Sequence, residues 1–271
     1  MRWLGGVSVA VLVVSPGHAH YNLLLPDAAS AKKGQPVMLT YQWGHPFEHQ
    51  LFDAPAPKRL LVAGPDGKVV DLTRKLEKVA LPGEKGKKMT AYRLRFTPGQ
   101  RGDYVFVLRT PPIWLEEDET FVEDTVKVVL HVQAQKGWDY AGWGAFVLTP
   151  LTRPYGLEPG MVFQAQLSER ERPPRRPGNP PRKEFEPSAG VPVEVERYNA
   201  APPKEMPPDE QVTRVVKTDA TGVATTTLTE PGWWCLTATR DGGKRTREGK
   251  EYSVRQRCTF WVFVAEKFRG K

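Results

Sequence analysis

Histidine is scarce in this chain, and its placement favours metal binding. Five histidines occur in 271 residues, and two of them, His45 and His49, lie four positions apart in GHPFEHQLFDAP, residues 44–55. Proline suits the first position of a helical turn, so Pro46 predicts a short turn that brings the two side chains together. Such a pair can hold one transition-metal ion from two sides, and surface or capping roles are the alternatives.

A third histidine, His20, follows a segment with the parts of a secretory signal peptide. Residues 1–19 carry Arg2 near the start, an apolar run over residues 4–14 and small residues near the end. The apolar run is shorter than the roughly 20 residues that span a membrane. We therefore expect cleavage after Ala19, with a retained membrane anchor as the alternative. The mature chain would be periplasmic or extracellular and would begin at His20.

A histidine at a free N-terminus offers two nitrogen ligands, its α-amine and its imidazole, from one position. Together with His45 and His49, His20 predicts a nitrogen-rich site for one divalent transition metal. This donor set suits nickel and cobalt, and copper or zinc as well. His131 is either a fourth ligand or a surface histidine, because it alternates with apolar residues in TVKVVLHVQ.

The other side chains near the histidine pair offer little for catalysis. Glu48 and Asp53 flank the pair, where they either orient an imidazole N–H group or are solvated acids. The sequence contains no serine nucleophile elbow, phosphate-binding loop, dinucleotide-binding glycine motif or HExxH motif. We therefore predict that the protein is not an enzyme, and no small-molecule substrate is evident.

The formal net charge of +8 raises the question of an anionic partner. Much of the excess lies in clusters such as SERERPPRRPGNPPRKEFEPS, residues 168–188. This segment is too proline-rich and charged to bury a core, so we predict an exposed loop. No nucleic-acid reading module accompanies the basic residues. A solvated basic surface without a nucleic-acid partner is the prediction.

The elements that must position the histidines are predicted to be strands. Segments rich in β-branched and aromatic residues, bounded by Gly, Pro or Asp, occupy residues 36–43, 58–63, 89–96, 103–108, 125–132, 162–167, 191–198, 212–217, 222–228, 233–239 and 253–264. This spacing favours antiparallel β-sandwiches, one over residues 20–136 and one over residues 155–267. The Gly-, Pro- and aromatic-rich residues 137–154 are expected to link them.

A first strand over residues 22–26, NLLLP, has a direct consequence for the histidines. If it pairs with residues 36–43, PVMLTYQW, the end of the second strand returns the GHPFEH turn to the mature N-terminus. Antiparallel pairing would therefore bring His20 near His45 and His49.

The two cysteines fit an exported protein. Cys235 and Cys258 lie in two predicted strands separated by the polar segment DGGKRTREGK, which we expect to be a turn. Side by side in an antiparallel pair, they would oxidise to a disulfide outside the cytoplasm. Two buried free thiols are the alternative.

Four segments together resemble a known family. In order along the chain these are AHYNLLLP, YQWGHPFEHQLFDAP, PLTRPYGLEPG and TDATGVATTTLTEPGWWCLTA. They are similar to the DUF4198 family of exported bacterial proteins, which includes periplasmic accessory subunits of energy-coupling-factor type nickel and cobalt transporters. The resemblance covers most of the mature chain and is most specific in GHPFE and PGWW. The charged insertion at residues 170–188 departs from the family, which affects partner docking rather than the fold.

The resemblance implies an all-β protein with two antiparallel Ig-like β-sandwich units, the second also similar to transthyretin-like modules. It implies capture of nickel or cobalt by His20, His45 and His49, at the positions of the family's histidine motifs. Subunits of a membrane metal transporter would be the partners. The alternatives are a copper-binding protein or copper-dependent oxidative enzyme using the same N-terminal histidine, and a structural β protein of the cell surface.

Overall fold

The computed structural model describes residues 20–83, 86–170 and 184–268. The predicted signal peptide, residues 1–19, and most of the charged insertion lie outside these ranges. Within them, regular structure is almost entirely β-strand, apart from a 3₁₀ helix, Thr73–Lys75, and a short helix α1, Asp209–Val212. The predicted all-β fold is confirmed.

The strands divide between the two halves of the sequence. Those of the first half are β1 (Tyr21–Pro26), β2 (Ser30–Ala31), β3 (Val37–His45), β4 (Gln50–Phe52), β5 (Arg59–Ala63), β6 (Val69–Asp71), β7 (Glu77–Pro82), β8 (Lys88–Phe96), β9 (Gly102–Arg109), β10 (Ile113–Leu115) and β11 (Thr120–Val132). Those of the second half are β12 (Phe146–Pro150), β13 (Met161–Glu169), β14 (Glu186–Pro187), β15 (Pro192–Arg197), β16 (Thr213–Lys217), β17 (Val223–Leu228), β18 (Gly232–Arg247) and β19 (Lys250–Val264).

The described strands form three sheets. A five-stranded sheet has the order β1-β3-β8-β7, with β4 beside β3. A ten-stranded sheet has the order β16-β15-β18-β19-β11-β9-β5-β6, with β2 and β10 beside β11. A four-stranded sheet has the order β12-β13-β14, with β17 beside β13. The ten-stranded sheet therefore contains strands from both halves of the chain.

One parallel strand pair joins the two halves. β11 lies parallel to β19, with Phe121 opposite Val254 and Val128 opposite Trp261. The other pairings within the large sheet's main path are antiparallel. Both β11 and β19 are thus interior strands, which explains their runs of apolar residues.

Successive side chains of these interior strands pack alternately into two hydrophobic cores. On β9, Phe106 packs into the first core, which lies against the five-stranded sheet, while Val105 and Val107 pack into the second. On β11, Val128 faces the first core and Val129 the second. Because successive side chains of a strand point to opposite faces, a sheet covered on both sides needs apolar residues at nearly every position.

The expected disulfide is wrong, and the strand register gives the reason. Cys235 lies opposite Trp261, and Cys258 lies opposite Ala238. The offset of three positions places the cysteines on opposite faces, so Cys235 belongs to the first core and Cys258 to the second. Both are buried free thiols, and burial raises the pKa of Cys258 to about 12. The alternative stated from the sequence is therefore the correct one.

Two segments carry more strand than the sequence predicts. Most of the polar segment DGGKRTREGK is strand, because β18 and β19 continue through it as a hairpin, and the expected turn is confined to Glu248 and Gly249. The expected linker contains β12, which pairs antiparallel with β13. Among the described residues, no helix has the length and apolar character needed to cross a membrane.

Candidate functional site

His20 and His45 meet at one end of the five-stranded sheet. β1 and β3 pair antiparallel, with Tyr21 opposite Gly44, so the residue before β1 reaches the last residue of β3. The two imidazole rings have centroids 4.6 Å apart in an edge-to-face arrangement. The predicted pairing of the first two strands is confirmed, and it places these two histidines together.

Aromatic side chains surround the two imidazoles. The His20 ring lies 5.4 Å from Trp43 and 5.0 Å from Phe52, between centroids. The His45 ring lies 5.3 Å from Phe52, and His45 is only 6% exposed. The rings restrict imidazole rotation and exclude water on one side. Any ion bound here would lie in a half-enclosed site of lower polarity than bulk water.

Gly44 allows β4 to fold back closely onto the end of β3. Gly44 pairs with Leu51 and His45 with Gln50. A Cβ atom at position 44 would lie 2.0 Å from the Gln50 carbonyl oxygen and 2.9 Å from Leu51 Cα. No larger residue fits there without moving the strand that carries Phe52. This is the physical reason for glycine before His45 in GHPFEH.

A buried polar network fixes β1 immediately after His20. The Asn22 side-chain amide donates to Asp124, and Tyr41 donates its hydroxyl proton to Asn22 Oδ1 at 2.6 Å. Trp261 Nε1 donates to the Asn22 backbone oxygen at 3.1 Å. Arg257 completes the network with two hydrogen bonds to Asp124, of 2.7 and 2.6 Å. The strand that presents His20 is therefore held from β3, β11 and β19.

His49 does not join the His20 and His45 pair. Residues 46–49 form a turn between β3 and β4, not a helical turn, and His49 has a left-handed φ of 53°. Its Nδ1 lies 2.9 Å from the Asn199 carbonyl oxygen, and its ring lies 5.8 Å from Tyr198. A carbonyl can only accept, so Nδ1 carries the proton and the lone pair is on Nε2. The turn is as expected, but the two side chains diverge from it.

The turn over residues 46–49 is anchored to residues distant in sequence. The Asn199 backbone N–H donates to the Pro46 oxygen at 3.0 Å, and its side-chain amide donates to the Phe47 oxygen at 2.6 Å. The Phe47 N–H donates to Glu196 Oε1 at 3.1 Å. About 150 residues separate these partners, so spacing alone gives no sign of them.

Glu196 is an unusual carboxyl group, because it is only 2% exposed. Burial raises its pKa to about 8, and nearby Glu48 and Glu194 add to the rise. Hydrogen bonds from Thr213 and Phe47 act in the opposite direction. A buried carboxyl group with a raised pKa thus lies beneath the histidine-bearing turn.

The remaining candidates have other partners. His131 Nδ1 lies 2.7 Å from Oδ1 of the fully buried Asp103, and its ring stacks on Tyr155 at 3.9 Å. His131 is therefore a partly buried histidine held by Asp103 and Tyr155. Asp53 accepts the Thr90 N–H at 2.7 Å, which lowers its pKa. Asp53 therefore fastens β4 to β8 rather than orienting an imidazole.

The donor set at His20 and His45 fits a metal ion that needs few protein residues. The described part of the chain contains no group of three or more His, Cys, Asp or Glu residues arranged to hold a metal. Two imidazoles and one α-amine would supply three nitrogen ligands from two residues. His20 provides that amine only if the chain is cleaved after Ala19.

Comparison with known proteins gives a family. The model of the domain of unknown function DUF4198 matches residues 17–242. The chain belongs to the DUF4198 family. The DUF4198 match includes both His20 and His45 and the anchoring residues Glu196 and Asn199, and it ends within β18. No curated protein matches the chain significantly.

Three solved structures illustrate the remote similarity of this chain to other β proteins. Salmonella alpha-2-macroglobulin reacted with methylamine is 15% identical with a TM-score of 0.27, over 93% of this chain and 15% of that one. Escherichia coli alpha-2-macroglobulin activated by porcine elastase is 14% identical with a TM-score of 0.25, over 91% and 20%. Titin domains A168–A170 are 9% identical with a TM-score of 0.20, over 92% and 66%. At these TM-scores the matches carry no functional argument.

Proposed function

We propose that this DUF4198 protein is an exported transition-metal-binding protein that captures nickel or cobalt for a membrane transporter. The observation that carries the proposal is the pair of imidazoles, His20 and His45, 4.6 Å apart at the ends of β1 and β3. Membership in DUF4198 supports it through the resemblance to transporter accessory subunits. Cleavage after Ala19 would add the α-amine of His20 as a third nitrogen ligand.

The fixed setting of the two histidines favours metal binding over a surface role. Asn22 is hydrogen-bonded on both side-chain atoms and on its carbonyl, so His20 projects from an immobile strand. His45 is buried against Phe52. Ligands that are already positioned lose little conformational freedom when an ion binds.

Copper is the second candidate, since the proposed ligands are all nitrogen. The intrinsic affinity of such a site rises from cobalt through nickel to copper. A copper-dependent oxidative activity would use the same two histidines. The choice between capture of nickel or cobalt and a copper function therefore depends on metal supply and on the partner.

The test uses the exported protein that begins at His20. Native mass spectrometry and dialysis would measure retention of one equivalent of nickel, cobalt, copper or zinc. We expect one retained ion, and a dissociation constant at least about tenfold larger for His45→Ala, equivalent to about 1.4 kcal/mol or more. The matched control His49→Ala should change the constant by less than about threefold.

A second variant tests the amine directly. One alanine placed before His20 moves the free amine off the histidine while both imidazoles remain. We expect a loss of affinity at least as large as for His45→Ala. Equal affinity in the extended chain, or unchanged affinity in His45→Ala, would overturn the proposal. Capture should also weaken on acidification, because protons compete with metal for imidazole nitrogen.

A further inference from the structure

A cavity opens at the other end of the first core from the histidines. It lies between β8 of the five-stranded sheet and β5, β6 and β9 of the large sheet, and has a volume of about 530 Å³. Cavities of about 300–1,000 Å³ suit small organic ligands. Phe96, which lines it, pairs with Val37 at the start of β3, eight residues from His45. At about 3.3 Å per residue, the two places are roughly 26 Å apart.

The inner wall of this cavity is apolar and rigid. Val62, Leu72 and Leu94 line it and are buried in the first core. Phe96 closes the wall and packs edge-to-face against Tyr104 and Phe106, with centroids 5.2 and 5.0 Å apart. A preformed apolar wall of this kind accommodates a hydrocarbon or aromatic body without rearrangement.

The mouth of the cavity is positively charged. Its lining includes three cations, Lys68, Lys75 and Arg95, and one anion, Asp66. Asp66 is already engaged, because its Oδ2 lies 3.3 Å from Lys68 Nζ and 3.3 Å from Gln100 Nε2. Within the described part of the chain, Lys75 forms no ion pair. Arg95 lies between Leu94 and Phe96 on β8, so its side chain points to the opposite face of the strand. Lys75 is therefore the cation available to a ligand in this apolar cavity.

We propose that this cavity binds a free amphipathic organic anion, with its apolar body against Leu94 and Phe96 and its carboxylate at Lys75. The apolar wall provides the larger part of the binding energy, since its burial is non-directional and scales with area. The Lys75 ammonium group selects a carboxylate over a neutral or positive head group. The site is separate from the histidines, so it stands or falls independently of metal binding.

Isothermal titration calorimetry of the mature protein with octanoate tests the proposal. Octanol provides the same apolar body without charge, and inorganic phosphate provides charge without the apolar body. We expect octanoate to bind at least about tenfold more tightly than either, equivalent to about 1.4 kcal/mol. Octanol binding as tightly as octanoate, phosphate binding as tightly, or no octanoate binding would each overturn the proposal.

Two matched pairs of variants locate the binding. Val70 lines the cavity on β6 and is 50% exposed, whereas Val69 beside it is 44% exposed and is not part of the lining. Val70→Trp should fill the mouth and weaken octanoate binding at least about tenfold, and Val69→Trp should leave it unchanged. Both positions are exposed, so both variants should fold, which the melting temperature would confirm.

The second pair concerns charge. Lys75 lines the cavity, and the neighbouring Arg74 is exposed and does not. We expect Lys75→Gln to weaken octanoate binding about two- to fivefold, as for an exposed ion pair, while octanol is unaffected. Arg74→Gln should have no effect. Equal binding by Val70→Trp and the parent chain, or equal effects of the two glutamine variants, would contradict the assignment.

Discussion

The carboxyl group of Glu196 couples the stability of the molecule to pH. Burial raises its pKa to about 8, whereas an unfolded chain has a glutamate pKa of about 4.3. Between these values the folded state binds one more proton than the unfolded state. Stability must therefore fall as pH rises through this window, by up to about 1.4 kcal/mol per unit, and level off above it.

Replacing Glu196 by glutamine removes the titration and keeps an acceptor for Phe47 N–H. We expect the Glu196→Gln variant to lose less stability between pH 5 and pH 8.5 than the parent protein, by a few kcal/mol. Urea unfolding at a series of pH values measures the difference. Glu210→Gln, at an exposed position, is the control and should follow the parent. Parallel curves for Glu196→Gln and the parent would show that Glu196 does not titrate differently on unfolding.

The histidines show what sequence can and cannot predict at this scale. The proximity of His20 and His45 follows from antiparallel pairing of two segments close in sequence, and the structure has that pairing. The direction of His49 depends on the carbonyl of Asn199, which a distant strand brings into place. Spacing within GHPFEH contains no information about that acceptor, so it could not predict that the His49 ring contacts Asn199 and Tyr198.

At the scale of elements, the turn between β3 and β4 depends on Asn199. The Asn199 side chain donates to the Phe47 oxygen, while its backbone bonds to Pro46 and His49 do not need the side chain. We expect Asn199→Ala to lower the free energy of unfolding by about 1–2 kcal/mol, because a part-buried carbonyl loses its donor. Metal affinity at His20 and His45 should fall several-fold as the turn loosens.

Chemical denaturation and metal titration would measure both effects of Asn199→Ala. Asn199→Asp is the informative companion, since it keeps the size of the side chain but replaces the donor by an acceptor. We expect it to be at least as destabilising as the alanine variant. A fully stable aspartate variant would mean that the hydrogen bond to Phe47 contributes nothing to the turn.

The hairpin of β18 and β19 explains why strand ends were harder to predict than strand centres. Beyond Arg240 its side chains are mostly exposed, so the sequence loses apolar alternation and resembles a turn. The strands continue because side chains pair across them, as Lys244 does with Glu251 at 3.3 Å. Arg247 also lies over the Trp114 ring at 4.4 Å. Trp114 belongs to β10, which is far away in sequence.

For the molecule as a whole, the pair of Asp124 and Arg257 is the main polar link between β11 and β19. Both side chains are buried, and the guanidinium group makes two hydrogen bonds to the carboxylate. Removing one charge leaves the other unpaired in the interior, which costs about 3–5 kcal/mol. We therefore expect Asp124→Asn to reduce the free energy of unfolding by about that amount.

Urea unfolding of Asp124→Asn, compared with the double variant Asp124→Asn/Arg257→Met, isolates the unpaired charge, because both variants keep an acceptor for the Asn22 amide. The double variant removes both charges and should be more stable than the single one. If the single variant were as stable as the parent, the guanidinium group would have to reach water when its partner is lost.

The position of β19 in the large sheet also determines when the molecule can finish folding. Trp261 of β19, near the end of the described chain, donates to the Asn22 oxygen in β1 and fills the first core. The first hydrophobic core therefore stays incomplete until β19 has been synthesised and packs against it. Contacts between such distant residues make folding slow and leave β11 with an open edge in the meantime. We infer that the two halves of the chain complete their folding together in one late step, and not one after the other during synthesis. The protein would reach its folded form only after β19 had left the ribosome and, if it is exported, the translocation channel.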